Sequence, residues 1–229
     1  MNARLYPSET RRVNERDRVA AIFLASFAGE PDLETLTPTA RRVLATAAAL
    51  FYERGAVETS VRDLTRACGL SPAALYNHFA SKDDLLYTLV RHGHDRMQRR
   101  IDEALADAPK DPTSALHAFV QAYTVGHVSQ PELAQTVRRE YLHLSPARCA
   151  EIVDERRAVR NRLSALLLDG ERAGTFHLIG GADGAVATAL MVLDMCSRTS
   201  DWFDRSRESD PAGIVQRYVV AALRLVGAG

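Results

Sequence analysis

The sequence predicts an all-α fold, and three observations carry that expectation. A capping residue followed by proline occurs at Thr37-Pro38, Ser71-Pro72, Asp111-Pro112, Ser145-Pro146 and Asp210-Pro211. That pair starts helices, because the cap accepts a backbone donor left over in the first turn and proline suits the first helical position. Apolar residues between these starts recur at helical spacing. No segment sustains the period-two alternation of a strand, and no repeat recurs at a fixed period.

Length and composition set the frame. The 229 residues suit a small domain fused to a larger one. Apolar residues make up 46% and charged residues 25%, ordinary values for a globular protein in water. No apolar run approaches the ~20 residues needed to cross a bilayer. Met1 to Arg18 lacks a signal-peptide core, so the expected location is the cytoplasm, with no membrane partner. Cys68, Cys149 and Cys196 show neither a CxxC pair nor zinc-ligand spacing and read as buried thiols. The net charge is zero, but residues 1–100 hold 15 Lys+Arg against 12 Asp+Glu, while residues 101–229 hold 14 against 17. A mildly basic front and a mildly acidic body result.

Residues 1–36 read as an extension. Within it Glu15 to Phe27 forms a short helix with Val19, Ile22, Phe23 and Phe27 on one side, ended by Gly29 and Pro31. Arg4, Arg11, Arg12, Arg16 and Arg18 make this arm basic; it is either solvated or a DNA-touching arm. The first main helix starts at Pro38, buries Val43, Leu44, Ala47, Ala48, Leu50 and Phe51, and stops at Gly55. Ser60 caps the next, with Asp63 three residues on. Gly69 ends it, and Pro72–Phe79 follows as a short helix with Leu75 and Phe79 turned inward. Ser81 caps a long helix from Lys82 to about Ala106. Further helices are expected from Pro112 to about His127, Pro131 to about His143, Pro146 to Ala173-Gly174, Asp183 to Arg198 and Pro211 to Val226. That makes about nine helices plus the N-terminal one.

Two short helices, Val61–Cys68 and Pro72–Phe79, joined by Gly69-Leu70-Ser71, have the layout of a helix-turn-helix. In that motif the second helix enters the major groove and its first residues meet base edges. Tyr76, His78 and Lys82 offer a hydroxyl, an imidazole N–H and a cation suited to phosphate oxygens, as do Thr59, Ser60, Arg62, Arg41 and the Ser71 cap. Asn77 suits a bidentate contact to adenine, and Ala73 or Ala74 suits a thymine methyl. Taken singly, Tyr76, His78 and Phe79 would read as core residues and Lys82 as a solvated one.

The run Thr59-Ser60-Val61-Arg62-Asp63-Leu64, then Ala67-Cys68-Gly69-Leu70-Ser71-Pro72-Ala73-Ala74-Leu75-Tyr76-Asn77-His78-Phe79 and Ser81-Lys82-Asp83-Asp84-Leu85-Leu86, resembles the signature of the TetR (tetracycline-repressor) family. The match covers about residues 38–90. Pro72-Ala73 departs from it, since many relatives have a basic residue and glycine there. The resemblance implies an N-terminal three-helix DNA-binding head over 37–90 and a larger helical ligand-binding and dimerisation domain over 91–229. It also implies a pseudo-palindromic operator on double-stranded DNA, a homodimer, and a small-molecule effector that releases the repressor. Operator choice would rest on Asn77, apolar contacts and DNA shape.

In the larger domain Leu116, Phe119, Val120, Tyr123 and His127 share a helix face. They form core, or Phe119 helps line a ligand cavity to which Tyr123 and His127 give polar tips. Met191 and Met195 are further lining candidates, and Arg139 and Tyr141 belong to a polar cluster, Arg138 to His143, that is either exposed or able to meet an anionic effector. The stretch Pro131–Phe176 is weakly similar to TetR regulators of lipid and aromatic-acid breakdown, which implies an acyl-CoA or other lipophilic carboxylate. Small-residue stripes, Ala185, Ala189, Leu193 and Cys196, then Ile214, Tyr218, Ala221, Ala222 and Leu225, are expected at a four-helix dimer interface or inside the core. No catalytic motif is found, His92 and His94 look a poor metal pair, and no cofactor is expected. The competing class is a helical small-molecule-binding or structural protein that does not bind DNA.

Overall fold

The computed structural model describes residues 9–204 and 210–228, with side chains from Arg16 onward. The described residues contain helices and turns and no strand. In order, the helices are α1 (Glu9–Ser26), α2 (Pro38–Arg54), α3 (Val61–Cys68), α4 (Pro72–Tyr76), α5 (Lys82–Asp107), α6 (Pro112–Ser129), α7 (Pro131–Glu140), α8 (Pro146–Arg172), α9 (Ala185–Ser197), α10 (Thr199–Trp202) and α11 (Pro211–Leu225). The chain divides into two compact units, Met1–Gly93 with Gln135–Cys149, and His94–Ala134 with Ala150–Gly229. A segment from the second half of the sequence therefore belongs to the unit that carries the helix-turn-helix.

In the first unit α1 packs on α2, α2 on α3, and α3 on α4. Val19, Phe23 and Phe27 of α1 are buried, and Ile22 is half-buried beside them. The helix starts well before Glu15, because Glu9 to Asn14 continue it. Of the basic arm, Arg4 lies outside the described residues, as do the side chains of Arg11 and Arg12. Thr37 caps α2 by accepting the Ala40 N–H at 3.2 Å. Val43, Leu44, Ala47 and Ala48 are fully buried there. Each fully buried aliphatic side chain of Val or Leu size contributes about 1.5–3 kcal/mol, so this one face holds the head together.

In the second unit α6 is the central helix, against α9, α10 and α11. Leu116, Phe119, Val120, Leu163, Leu167, Phe176, Ala189, Val192, Val219 and Ala222 form its core. Much of both expected interface stripes is internal: Ala185, Ala189, Cys196 and Ala222 are buried in this core and Ile214 in a smaller cluster with Val128, Phe203 and Val215, while Leu193, Tyr218 and Leu225 are half-buried and Ala221 is exposed. For the buried members of these stripes, the cover that helical periodicity calls for is the chain's own core. The exposed side of α9 instead carries Val186, Leu190 and Met191, at 46%, 50% and 52% exposure. The single turn α10 was not expected; Thr199 and Ser200 donate their hydroxyls back to the carbonyls of Cys196 and Ser197 at 2.7 and 2.9 Å.

Only Cys196 of the three cysteines is fully buried; Cys68 and Cys149 are half-buried. Burial pushes the Cys196 thiol up to about 11, against a smaller downward pull from a hydrogen bond with Thr124. The reactive thiolate is then scarce at neutral pH. Iodoacetamide at pH 8 should therefore leave Cys196 unmodified in the folded protein and label it in denaturing urea, as peptide mass analysis would show.

Candidate nucleic-acid interface

The helix-turn-helix is built by local caps. Ser60 and Asp63 form a reciprocal capping box: Ser60 Oγ accepts the Asp63 N–H at 3.2 Å, and Asp63 Oδ2 accepts the Ser60 N–H at 3.0 Å. The same carboxylate accepts the Ser60 hydroxyl. These bonds, hydroxyl first, hold the Asp63 carboxyl below its usual pKa. Gly69 closes α3 in the left-handed region, at φ 65°, where glycine carries no steric penalty. Two residues later Ser71 caps α4 by accepting the Ala74 N–H at 3.1 Å.

Helix α4 is shorter than the sequence suggests, ending at Tyr76 with Asn77 as its C-cap. His78 and Phe79 still follow as turn residues, both donating their N–H to the Leu75 carbonyl at 3.0 and 3.1 Å. Leu75 and Phe79 point inward, at 4% and 3% exposure. The outer side is then fixed by elimination. Ser71, Pro72, Ala73, Tyr76 and Asn77 are exposed, while Ala74 and His78 are half-buried. Arg62 on α3 is also exposed.

Three of the expected phosphate donors are otherwise engaged. Thr59 is fully buried, and its hydroxyl donates to the Gly55 carbonyl at 2.8 Å, so it is not a surface donor. Ser60 is exposed, yet its hydroxyl proton and its N–H both go to Asp63. The Lys82 ammonium donates to the carbonyls of Ala56 and Thr59 at 2.8 and 3.1 Å, which commits two of its three protons to the turn between α2 and α3.

That turn has a second support, which the sequence did not disclose. The buried Ala56 N–H donates to Glu140 Oε2 at 2.7 Å. Glu140, read from the sequence as part of a polar cluster either exposed or facing an effector, is 6% exposed. Its partner lies 84 residues away in sequence, beyond the reach of any local pattern. A further anchor joins the start of α5 to the start of α8. Asp83 accepts the Ser145 N–H at 2.8 Å, and Arg148 pairs with Asp83 at 2.9 Å and Asp84 at 2.8 Å. The Arg148 guanidinium also stacks 4.5 Å above the Tyr87 ring.

Residues 43–88 match the family model described as bacterial regulatory proteins, tetR family, and residues 109–226 match that of the tetracycline repressor-like C-terminal domain. The fold also matches that of a bacterial regulatory protein in the tetR family from Rhodococcus RHA1, at 31% identity and a TM-score of 0.76, covering 84% of this chain and 99% of that one. The chain belongs to the TetR family. Among curated proteins, it is similar to the transcriptional repressor KstR2 of Mycobacterium tuberculosis, 35% identical over 80 residues, 35% of this chain and 40% of KstR2. It is also similar to the transcriptional regulator UidR of Escherichia coli, 32% identical over 68 residues, 30% of this chain and 35% of UidR. The chain thus matches well under half the length of these two curated relatives. The fold is shared with AibR, solved in complex with isovaleryl coenzyme A and operator DNA, at a TM-score of 0.71 and 20% identity over 83% of this chain and all of that one.

The expected ligand-site residues of this TetR-family chain are divided between its two units, five in the second and two in the first. Phe119 is fully buried in the core, stacked on Tyr123 at 6.2 Å, with the His127 ring edge-on to Tyr123 at 4.8 Å. Met195 is half-buried and Met191 is 52% exposed. Arg139 is exposed and Tyr141 half-buried, both in the first unit. A cleft of about 640 Å³ lies between α5 and α6, with Arg100, Glu103, Asp107, His117 and Gln121 as polar lining and Ala104, Ala118, Ala122 and Val125 as apolar lining. Among the described residues no helix is long and apolar enough to cross a membrane.

Proposed function

We propose that the chain is a ligand-responsive transcriptional repressor that binds a pseudo-palindromic operator as a homodimer and is released by a small molecule. One observation carries the DNA-binding part. The inner residues of α4, Leu75 and Phe79, are buried, which turns Ala73, Tyr76 and Asn77 outward on the edge that a helix-turn-helix presents to the major groove. Tyr76 grips a phosphate, Asn77 reads a base, and Arg62 with Ser71 adds phosphate contacts. Lys82 and Glu140 act one step back, holding the turn that orients α3. Two copies meet through the exposed apolar side of α9, since a two-fold dimer matches a two-fold operator.

The effector we propose is an acyl-CoA or another lipophilic carboxylate. The AibR complex supports this as a ligand class that the fold accommodates, and Arg100 beside the alanine-lined wall of the α5–α6 cleft offers a cation next to apolar surface. The experiment is fluorescence anisotropy on DNA from upstream of the coding region. Tyr76→Ala should weaken binding to every sequence by about ten-fold or a little more, as one hydrogen bond to a charged group is worth about 1.5 kcal/mol. Asn77→Ala should instead flatten the preference at one base pair by about 1–3 kcal/mol. Unchanged binding by both variants would refute the assignment. A thermal-shift panel of acyl-CoAs, with no member raising the melting temperature, would refute the effector class alone.

A further inference from the structure

A second site lies away from the DNA-reading edge, where the connection between α1 and α2 meets α5. Glu30 precedes the 3₁₀ turn Pro31–Leu33, Asp32 lies within it, and His92 reaches them from α5. One imidazole nitrogen and two carboxylate oxygens converge there, no two of the three donor atoms more than 4.8 Å apart. His92 Nδ1 lies 2.6 Å from Asp32 Oδ2. The His92 side chain is completely buried, and the Phe27 ring stands edge-on to it at 5.2 Å and 89°, which fixes the direction of the imidazole. Glu30 and Asp32 are half-buried, so the site is open on the carboxylate side.

We propose that Glu30, Asp32 and His92 bind one divalent transition-metal ion, of the zinc or manganese class. One nitrogen and two carboxylate oxygens are a donor set that such ions take, with bonds of about 2.0–2.2 Å. At the tetrahedral angle two such ligands lie about 3.4 Å apart, so closing the site takes a shift of about 1.5 Å or less in half-exposed carboxylates, with the ion replacing the hydrogen bond between His92 and Asp32. The buried imidazole is the preorganised member, oriented by a packed ring. The remaining coordination positions face solvent and belong to water. The three ligands come from a turn and a helix 60 residues apart, so the ion ties the α1–α2 connection to the long helix α5. The sequence hid this site because His92 was weighed against His94, two positions along the same helix, rather than against a distant turn.

The test is equilibrium dialysis of the full chain against Zn²⁺ and, separately, Mn²⁺, with the melting temperature followed in parallel. The wild type should bind one equivalent of at least one of these ions and melt higher with it. Glu30→Gln and Asp32→Asn, both on the half-exposed turn, should each weaken binding by at least about ten-fold and remove the metal-induced rise in melting temperature. His92→Gln alters a buried side chain and adds a third variant only where it folds by circular dichroism. No bound metal at 100 µM of either ion overturns the proposal. So does binding that Glu30→Gln and Asp32→Asn leave unchanged, because the ion would then sit elsewhere, on cysteines or other histidines.

Discussion

Substituting Ala73 with glutamate should lower operator affinity by at least about a hundred-fold, with the melting temperature almost unchanged. Ala73 is exposed in the first turn of α4, and only its backbone is engaged, with its carbonyl accepting the Asn77 N–H at 3.1 Å. A surface change of this kind shifts stability by about 0.5 kcal/mol or less, and an acidic side chain in the first turn of a helix is mildly favourable. Against DNA the same side chain sets a negative charge where the major groove and its phosphates would lie. Like charges forced together at an interface cost several kcal/mol, and each 1.4 kcal/mol is ten-fold in affinity. Ala73→Lys separates charge from size: it should keep or raise affinity and blunt sequence preference, with a steeper salt dependence. Anisotropy titrations at two salt concentrations read both variants. Full binding by Ala73→Glu would mean that α4 does not face DNA.

The second large effect concerns stability, in the other unit. Phe176 is fully buried and packs directly on Gly170, in the last turns of α8. A Cβ at Gly170 would lie 2.0 Å from Phe176 Cδ2 and 2.3 Å from Cε2, closer than any real contact. The chain reverses there through Gly174, at φ 69°, and the Thr175 and Phe176 N–H groups both return to the Gly170 carbonyl. Phe176→Ala should cost about 3–5 kcal/mol in urea unfolding. Gly170→Ala alone should cost about 1–3 kcal/mol, because the ring has to move. In the Phe176→Ala background, however, the same Gly170→Ala change should be neutral or stabilising by up to about 1 kcal/mol, since alanine is the better helix former and the clash is gone. A change of sign between the two backgrounds identifies the contact. Simple additivity would show that the ring and the glycine do not compete for the same space.

What the sequence disclosed divides along a physical line. Helix starts were legible because a cap acts within three residues: Thr37, Ser60, Ser71, Asp111 and Asp210 each accept a backbone N–H of their own first turn. The apolar faces of α2 and α6 were legible because period alone marks them. The anchoring of Lys82 was not legible, because its acceptor carbonyls lie 23 and 26 residues back. Thr59 looked like a surface hydroxyl because nothing local shows that its side chain turns inward to the Gly55 carbonyl, between the exposed Glu58 and Ser60. The stripes on α9 and α11 show the limit from the other direction: an apolar face says that something covers it, and not whether the cover is the same chain or a second copy. His92 is the same case for a polar group, since its carboxylate partners sit in a different element.

The bond from the Ala56 N–H to Glu140 bears on modularity. Glu140 belongs to the segment Gln135–Cys149, which is part of the compact unit containing α1 to α4. A chimera made by cutting after Gly93 and attaching a foreign effector domain would leave that segment behind. A buried N–H would then have no acceptor, and Asp83 and Asp84 would lose Arg148. The piece of this chain that can be transplanted is discontinuous, and a working hybrid has to carry residues 135–149 along with the head.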